Sequence, residues 1–504
     1  MINDSDLKIS QRTARGAIVT IGSQVLLAAM QLINMVVLAR LLSPADFGLI
    51  AMSTAVVASI ALFRDLGLSA ATIQQQHLDQ DTASGLFFVN IGTALVLMLL
   101  ICIAAPFVAA LLNDPRLTAT IIASSGTLPI TALGAQHRAQ FARNLQFFTT
   151  QWIAVAGAAA GSVGAILSAA YGVGYWALLI NAWIAAVSQM ILLWVWSRWR
   201  PTRVHNWSRL RSSIDFGISV TVSDLIIYFS RQFDKLLVGY RWGGEELGFY
   251  SRAYAVLLMP QNLISGPISA TLLPGLSRLQ NQPAEWRDLL LSAVQITSIL
   301  TMFVAALLIL NAEEMVAIVL GAQWGASADL VEVFGISMIA RAVMSQNPWI
   351  YLSLGDTKRM IVWQLTTLPV YLGGIFIGLP YGVEGVAIGF SVAQLLLCLP
   401  SVFVAAAGTP VSGGEILRIV WPVGVVTLIT ILASPLLCTP IKGEAFSVTT
   451  AMESLAITSL VFVAGTGIVL WIDPKYRRLK VIIVRWGVGL IWRMFERRGK
   501  SHSN

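Results

Sequence analysis

Charge is scarce in this chain of 504 residues. Asp, Glu, Lys and Arg make up 12% of it, where a soluble domain carries about 25%. That deficit excludes an ordinary water-facing surface, and with 56% hydrophobic residues lipid is the solvent that remains. Cysteine is scarcer still. Cys102, Cys398 and Cys438 lie far apart in apolar stretches; they read as small buried hydrophobes, not as a disulfide framework or a metal-ligand set. The histidines His77, His137, His205 and His502 include no pair four residues apart, so the spacing of a helical zinc site is missing. A Walker A sequence is also missing, which argues against ATP hydrolysis by this chain. No cofactor is expected.

What the chain does have is long apolar runs. A spanning helix needs roughly 20 apolar residues, and we read fourteen candidate spans. They lie near 16–40, 45–72, 83–112, 118–137, 146–170, 173–197, 213–239, 247–274, 288–311, 327–354, 360–380, 383–407, 416–437 and 449–472. In lipid each backbone N–H must find its partner inside its own segment, so segments of this length are helical. The strictly alternating runs of a membrane barrel are missing. The fold class is therefore an all-α polytopic membrane protein. The first run is too long for a signal-peptide core, and the first span is expected to stay in the mature protein. Boundary chemistry marks the edges: Ser43, Pro44 and Asp46 form a helix start, and Trp194, Trp196 and Trp199 end the sixth span as an interfacial belt does.

Lys and Arg set the orientation. With the N-terminus inside, only Arg40, Arg116, Arg241 and Lys442 of the 33 basic residues fall outside, and Arg231, Lys235, Arg252 and Arg341 fall within spans. All the others share one side, which predicts that both termini are cytoplasmic. The net charge of +8 is thus a topology signal and does not indicate nucleic acid. The segment 475–504 is basic and apolar by turns and is expected to lie as an amphipathic helix on the membrane surface, against membrane lipids.

The chain repeats. Asp46-Phe47-Gly48 is matched by Glu246-Leu247-Gly248, and Tyr171-Gly172-Val173 with Ala177 by Tyr381-Gly382-Val383 with Ala387. The repeat holds six spans, an even number, so both copies share one orientation and are related by a parallel pseudo-two-fold axis. We read a six-helix lobe over 1–200, a second over 201–410, two additional spans over 411–474 and the tail.

Charges inside spans cost at least about 2.5–3.5 kcal/mol each on insertion scales, so each needs a reason. The candidates are Arg64 near the inner end of the second span, Asp224, Arg231, Asp234 and Lys235 in the seventh, Arg252 in the eighth and Arg341 in the tenth. Two readings stand. In one they are structural ion pairs or snorkelling anchors. In the other they line a water-filled path and attract an anion, and the surplus of cations over Asp224 and Asp234 favours it. Asp224 or Asp234 would then be the carboxylate that loads a coupling ion. Asp4-Ser5-Asp6 and Asp79-Gln80-Asp81 match a short glycosyltransferase pattern, but no soluble nucleotide-binding domain surrounds them, and the chain is not expected to be an enzyme.

Four blocks carry a family resemblance: LARLLSPADFGLIAMS at 38–53, FRDLGLSAATIQ at 63–74, LGFYSRAYAVLLMPQN at 247–262 and VLGAQWGASADLVEVFGISMIARAV at 319–343. The chain resembles Wzx-type polysaccharide flippases of the multidrug/oligosaccharidyl-lipid/polysaccharide (MOP, MATE-like) superfamily, in the branch of colanic-acid and succinoglycan exporters. The resemblance implies a bacterial inner-membrane protein that flips undecaprenyl-pyrophosphate-linked oligosaccharide repeat units for exopolysaccharide, capsule or O-antigen synthesis, by alternating access to a cationic central cavity. A polysaccharide polymerase and a chain-length regulator are the implied partners. Arg64, Arg252 and Arg341 carry over by motif and are expected to converge on one pyrophosphate; Arg231 and Lys235 rest on their charge alone. Arg40 also matches, at an outer helix end where it anchors. The alternatives are a peptidoglycan-precursor flippase, a drug or cation antiporter of the same superfamily and, further off, a membrane-embedded polysaccharide polymerase.

Overall fold

The computed structural model describes residues 4–65, 68–69, 72, 78–144, 146–204, 211–437 and 448–472. The basic tail, and with it the expected surface helix, lies outside them. Among the described residues every regular element is helical. In chain order these are α1 (Asp4–Leu41), α2 (Pro44–Asp65), α3 (Gln80–Leu111), α4 (Arg116–Ser125), α5 (Thr127–Arg143), α6 (Phe147–Ala170), α7 (Trp176–Trp196), α8 (Arg211–Arg278), α9 (Pro283–Leu310), α10 (Ala312–Val319), α11 (Ala326–Met344), α12 (Asn347–Leu354), α13 (Thr357–Gly378), α14 (Gly382–Ala406), α15 (Gly413–Leu437) and α16 (Val448–Ile472).

Local chemistry sets the ends. Asp46 accepts from the Ser43 backbone N–H at 3.0 Å while the Ser43 hydroxyl accepts from the Asp46 N–H at 3.2 Å. This reciprocal cap satisfies two N–H groups that the start of α2 would otherwise leave orphaned. Asp79 caps α3 by accepting from Thr82, so this acid of the short glycosyltransferase pattern has a structural task.

Among the described residues, eleven stretches are long and apolar enough to cross a membrane. Two of them, Gln232–Arg278 and Thr357–Ala406, run to 47 and 50 residues and fold back on themselves. The first reverses at Gly243, where φ is +86° and ψ −171°. Lys235 and Tyr254, nineteen residues apart, are in contact, with the ammonium 4.8 Å from the ring centre. A straight helix would hold them roughly 28 Å apart. In the second, a side chain at Gly378 or Gly389 would collide with the backbone of Gly385 or Gly374 respectively. Small residues four apart on both limbs let the backbones touch, which is how helices pack where lipid supplies no hydrophobic drive.

Exposed residues show the same solvent from outside. On α3, Val96, Leu99, Leu100, Ile103, Phe107 and Leu111 are all exposed. Their spacing places them on one face of the helix. A contiguous bare apolar stripe is unstable in water and is what a lipid-facing span requires.

The described chain divides into two compact units, one of residues 1–259, 315–330 and 364–389, the other of residues 260–314, 331–363 and 390–504. In the first, the glycines of α6 seat against α7: a side chain on Gly161 would meet the Asn181 carbonyl oxygen at 2.7 Å. In the second, Trp286 is fully buried and donates to the Ser353 hydroxyl at 3.2 Å, and Trp349 donates to Ser269 at 2.7 Å. Asn311 donates to Thr458 at 3.1 Å and accepts from Ser454 at 2.6 Å, which ties α16 to the C-terminal end of α9.

The sequence repeat has a structural counterpart inside the first unit. A side chain at Gly48 would strike the backbone of Gly244, and one at Gly248 would strike Pro44. The second contact is the first with 200 residues added to one partner and subtracted from the other. Such an isologous contact is what a two-fold relation between copies produces. The other matched motif agrees: Gly172 and Gly382 both have positive φ, +77° and +86°, and Ala177 and Ala387 are both fully buried.

Candidate functional site

The fold-back at Gly243 assembles a charged cluster within the first unit. It presses the limb carrying Asp234 and Lys235 against the limb carrying Tyr250, Arg252 and Tyr254. Asp234 is 4% exposed and accepts from the Tyr250 hydroxyl at 2.7 Å. The Lys235 ammonium lies over Tyr254. The Arg252 guanidinium lies 4.6 Å from the ring centre of Phe47, in the first turn of α2. A cation over an aromatic face is favoured, more strongly where water is thin. Here two cations accompany one carboxylate, and that carboxylate is already bonded to a tyrosine. Among the described residues Arg252 has no ion pair and no hydrogen bond, and its Nε is buried without a partner. A guanidinium with its fork unused keeps the geometry that pairs with a bidentate anion.

A second pair of cations lies at the far end of α2. Arg64 donates to the Thr131 hydroxyl at 2.6 Å. Arg138 is close enough to feel its charge and donates to Gln189 at 2.8 Å. Sequence reading missed Arg138, because the fourth span was ended at residue 137 while α5 continues to Arg143. Phe47 was quoted within a motif but not recognised as the ring beneath Arg252; nothing local to either residue signals that contact.

These two groups do not meet at one point. Phe47 and Arg64 lie on the same helix seventeen residues apart, roughly 26 Å at the α-helical rise. A pyrophosphate against Arg252 is therefore beyond the reach of Arg64. The convergence of three arginines on a single anion does not hold for this pair. Arg341 belongs to the other compact unit, where it donates to Gln261 at 2.9 Å. Asp224 and Arg231 fall on α8, but their side chains lie outside the described residues.

The block at 319–343 owes its pattern to the end of α1. Gly321, with φ +106°, turns the chain into a short 3-10 turn at Ala322–Trp324. Trp324 then donates to the Ala39 carbonyl at 2.8 Å and Gln323 to the Leu42 carbonyl at 3.0 Å. These are carbonyls that the end of α1 leaves without helical partners. Arg40 donates to the Ile318 carbonyl at 2.8 Å, which ties the end of α1 to α10. Trp324 also packs edge-on against Phe47 and Phe249, which fixes the ring that underlies Arg252.

Solved structures share this fold. The lipid II flippase MurJ in an inward closed conformation superposes with a TM-score of 0.72 at 14% identity, over 91% of this chain and 99% of that one. An inward-facing multidrug resistance MATE transporter of the MOP superfamily gives a TM-score of 0.61 at 14% identity, over 76% and 96%. The class is thus a multi-pass helical membrane protein of the MurJ and MATE type. Among curated relatives, the succinoglycan biosynthesis transport protein ExoT of Rhizobium meliloti (strain 1021) is 24% identical over 63% of this chain and 63% of its own. The lipopolysaccharide biosynthesis protein WzxC of Escherichia coli (strain K12) is 22% identical over 87% and 90%. Residues 37–329 match the polysaccharide biosynthesis protein family, and the chain belongs to it. Three of the four blocks that carried the resemblance lie wholly inside that match.

Proposed function

We propose that this protein flips an undecaprenyl-pyrophosphate-linked oligosaccharide from the cytoplasmic to the periplasmic leaflet of a bacterial inner membrane, by alternating access between two six-helix lobes. Membership of a polysaccharide biosynthesis family supports it, as do a transport protein and a Wzx protein among its relatives and a fold shared with a lipid II flippase. The observation that carries it is Arg252, a half-buried guanidinium on an aromatic ring, its Nε buried without a partner and no anion beside it. In this reading Arg252 and Lys235 form one station for the pyrophosphate and Arg64 with Arg138 another, and Arg341 is a further basic position on the path. The phosphate moves between stations while the sugar crosses in water and the lipid tail stays in the bilayer. Asp234, beside Lys235, is the candidate for ion coupling, with Asp224 as its alternative. A polymerase and a chain-length regulator would take the product onward.

Arg252→Ala should stop polymer export and leave lipid-linked oligosaccharide on the cytoplasmic leaflet, with normal protein in the membrane. Arg252→Lys should restore part, since it keeps the charge and loses the fork. Normal export by the alanine variant would overturn the reading. The shared fold keeps a peptidoglycan-precursor flippase as the second reading, and complementation of cells depleted of MurJ separates the two. The cation surplus disfavours a cation antiporter. Orientation is tested by thiol labelling: a cysteine at position 205 should resist an impermeant reagent in intact cells and one at position 325 should react, and the reverse pattern would refute cytoplasmic termini.

A further inference from the structure

A groove of about 370 Å³ lies between the N-terminal halves of α9 and α15, wholly within the second unit. Its mouth is charged and rigid. Glu415 accepts from the Ser412 N–H at 2.9 Å and from its hydroxyl at 3.1 Å. Thus fixed, it accepts from Arg287 Nε at 3.1 Å. Arg287 also faces Asp288 at 3.6 Å, so its charge is shared between two carboxylates. Arg418 follows Glu415 by three residues, which keeps it on the same face of α15. It lines the groove, it is exposed, and among the described residues it has no ion pair or hydrogen bond. Leu291 and Ile419 make the wall.

Both helices are membrane spans, Pro283–Leu310 and Gly413–Ser434. Arg418 stands roughly 7–8 Å along α15 from its start, about the depth of lipid headgroups. Ser292 and Gln295 join the charged groups in the lining, and Leu291 and Ile419 are its apolar members; a soluble anion would use the first set and leave the second idle. A glycerophospholipid matches all of it, with a phosphate for Arg418, an acyl-chain origin for Leu291 and Ile419, and, if the headgroup is ethanolamine, an ammonium for Asp288. We propose that this groove binds a bilayer lipid of the ethanolamine glycerophospholipid class, separately from any transported substrate.

Native mass spectrometry of the purified full chain, titrated with lipids in detergent, tests this. Phosphatidylethanolamine should form a defined one-to-one adduct, and phosphatidylglycerol a weaker one. Diacylglycerol, which lacks the phosphate, should form none. Arg418→Ala should reduce the ethanolamine-lipid adduct at least fivefold, and Arg418→Gln, should alanine not be recovered from membranes, should do the same. Asp288→Asn should remove the preference for phosphatidylethanolamine over phosphatidylglycerol. Unchanged binding in the Arg418 variants overturns the site. Equal or better phosphatidylglycerol binding by the unaltered chain overturns the choice of headgroup. Displacement of the lipid by millimolar inorganic phosphate overturns a lipid site in favour of an anion site.

Discussion

Arg252 in the first unit and Arg287 in the second are both half-hidden guanidinium groups on spanning helices, yet the protein treats them differently. Arg287 receives an anion from the chain itself, Glu415, which lies 128 residues away and is held by Ser412. Arg252 receives an aromatic ring and no anion. A positive charge in or near lipid is costly without a partner. Where the chain supplies the counter-charge, the arginine joins helices; where it withholds it, the proposed function assigns that place to the transported anion.

The comparison is broken most severely by supplying Arg252 with an internal anion. Phe47→Glu should place a carboxylate where the ring now lies and turn Arg252 into a second Arg287. Export should fall roughly tenfold to a hundredfold, the equivalent of losing a charged hydrogen bond of about 1.5–3 kcal/mol. Phe47→Leu, which removes the ring without adding charge, should retain most of it, with both variants at normal membrane levels. Normal polymer output from Phe47→Glu would show that Arg252 does not need to be anion-free. A smaller effect is expected from Tyr250→Phe, which strips Asp234 of a hydroxyl and leaves the carboxylate to Lys235. We expect a stability loss of about 1–3 kcal/mol, read as a lower midpoint of thermal unfolding in detergent, and a changed pH profile of transport if Asp234 carries the coupling ion. An unshifted midpoint and profile would mean that the Tyr250 bond contributes neither. The smallest effect belongs to the paired arginine. Arg287 and Glu415 are 39% and 30% exposed at the side chain, so Arg287→Gln should cost only about 0.2–1 kcal/mol, shrinking as salt is raised. Export should be unaffected. A collapse of export would place Arg287 in the same class as Arg252.

Much of the fold was legible in the sequence because it is set by local rules. The start of α2 at Pro44 follows from a hydroxyl, a proline and a carboxylate within four residues. The seventh and eighth spans were read as two, and Gly243 separates them. The repeat at 46–48 and 246–248 was visible as a motif, although not that the two copies press their glycines together. Boundaries read from hydropathy were less dependable. The fourth span is read to residue 137 and stops short of Arg138, whose charge disguised a helix that continues to Arg143.

The site was legible as a set of charges and not as an arrangement. Sequence alone marked Arg64, Lys235, Arg252, Arg341 and Asp234 as costly residues in lipid, because desolvation depends on residue type and depth, and hydropathy reports both. It could not say that Arg64 and Arg252 lie near opposite ends of one helix's neighbourhood, that Tyr250 holds Asp234, or that Arg138 is beside Arg64. Those facts depend on which helix faces pack together. Packing is decided by glycine contacts, aromatic edges and hydrogen bonds between residues as near as Asp234 and Tyr250 and as far apart as Ala39 and Trp324, and no local pattern encodes them. Composition and periodicity therefore determined that this chain is a bundle of membrane helices with surplus positive charge inside. The tertiary structure alone decided which of those charges is answered within the protein, since a charge finds its partner through space and not along the chain.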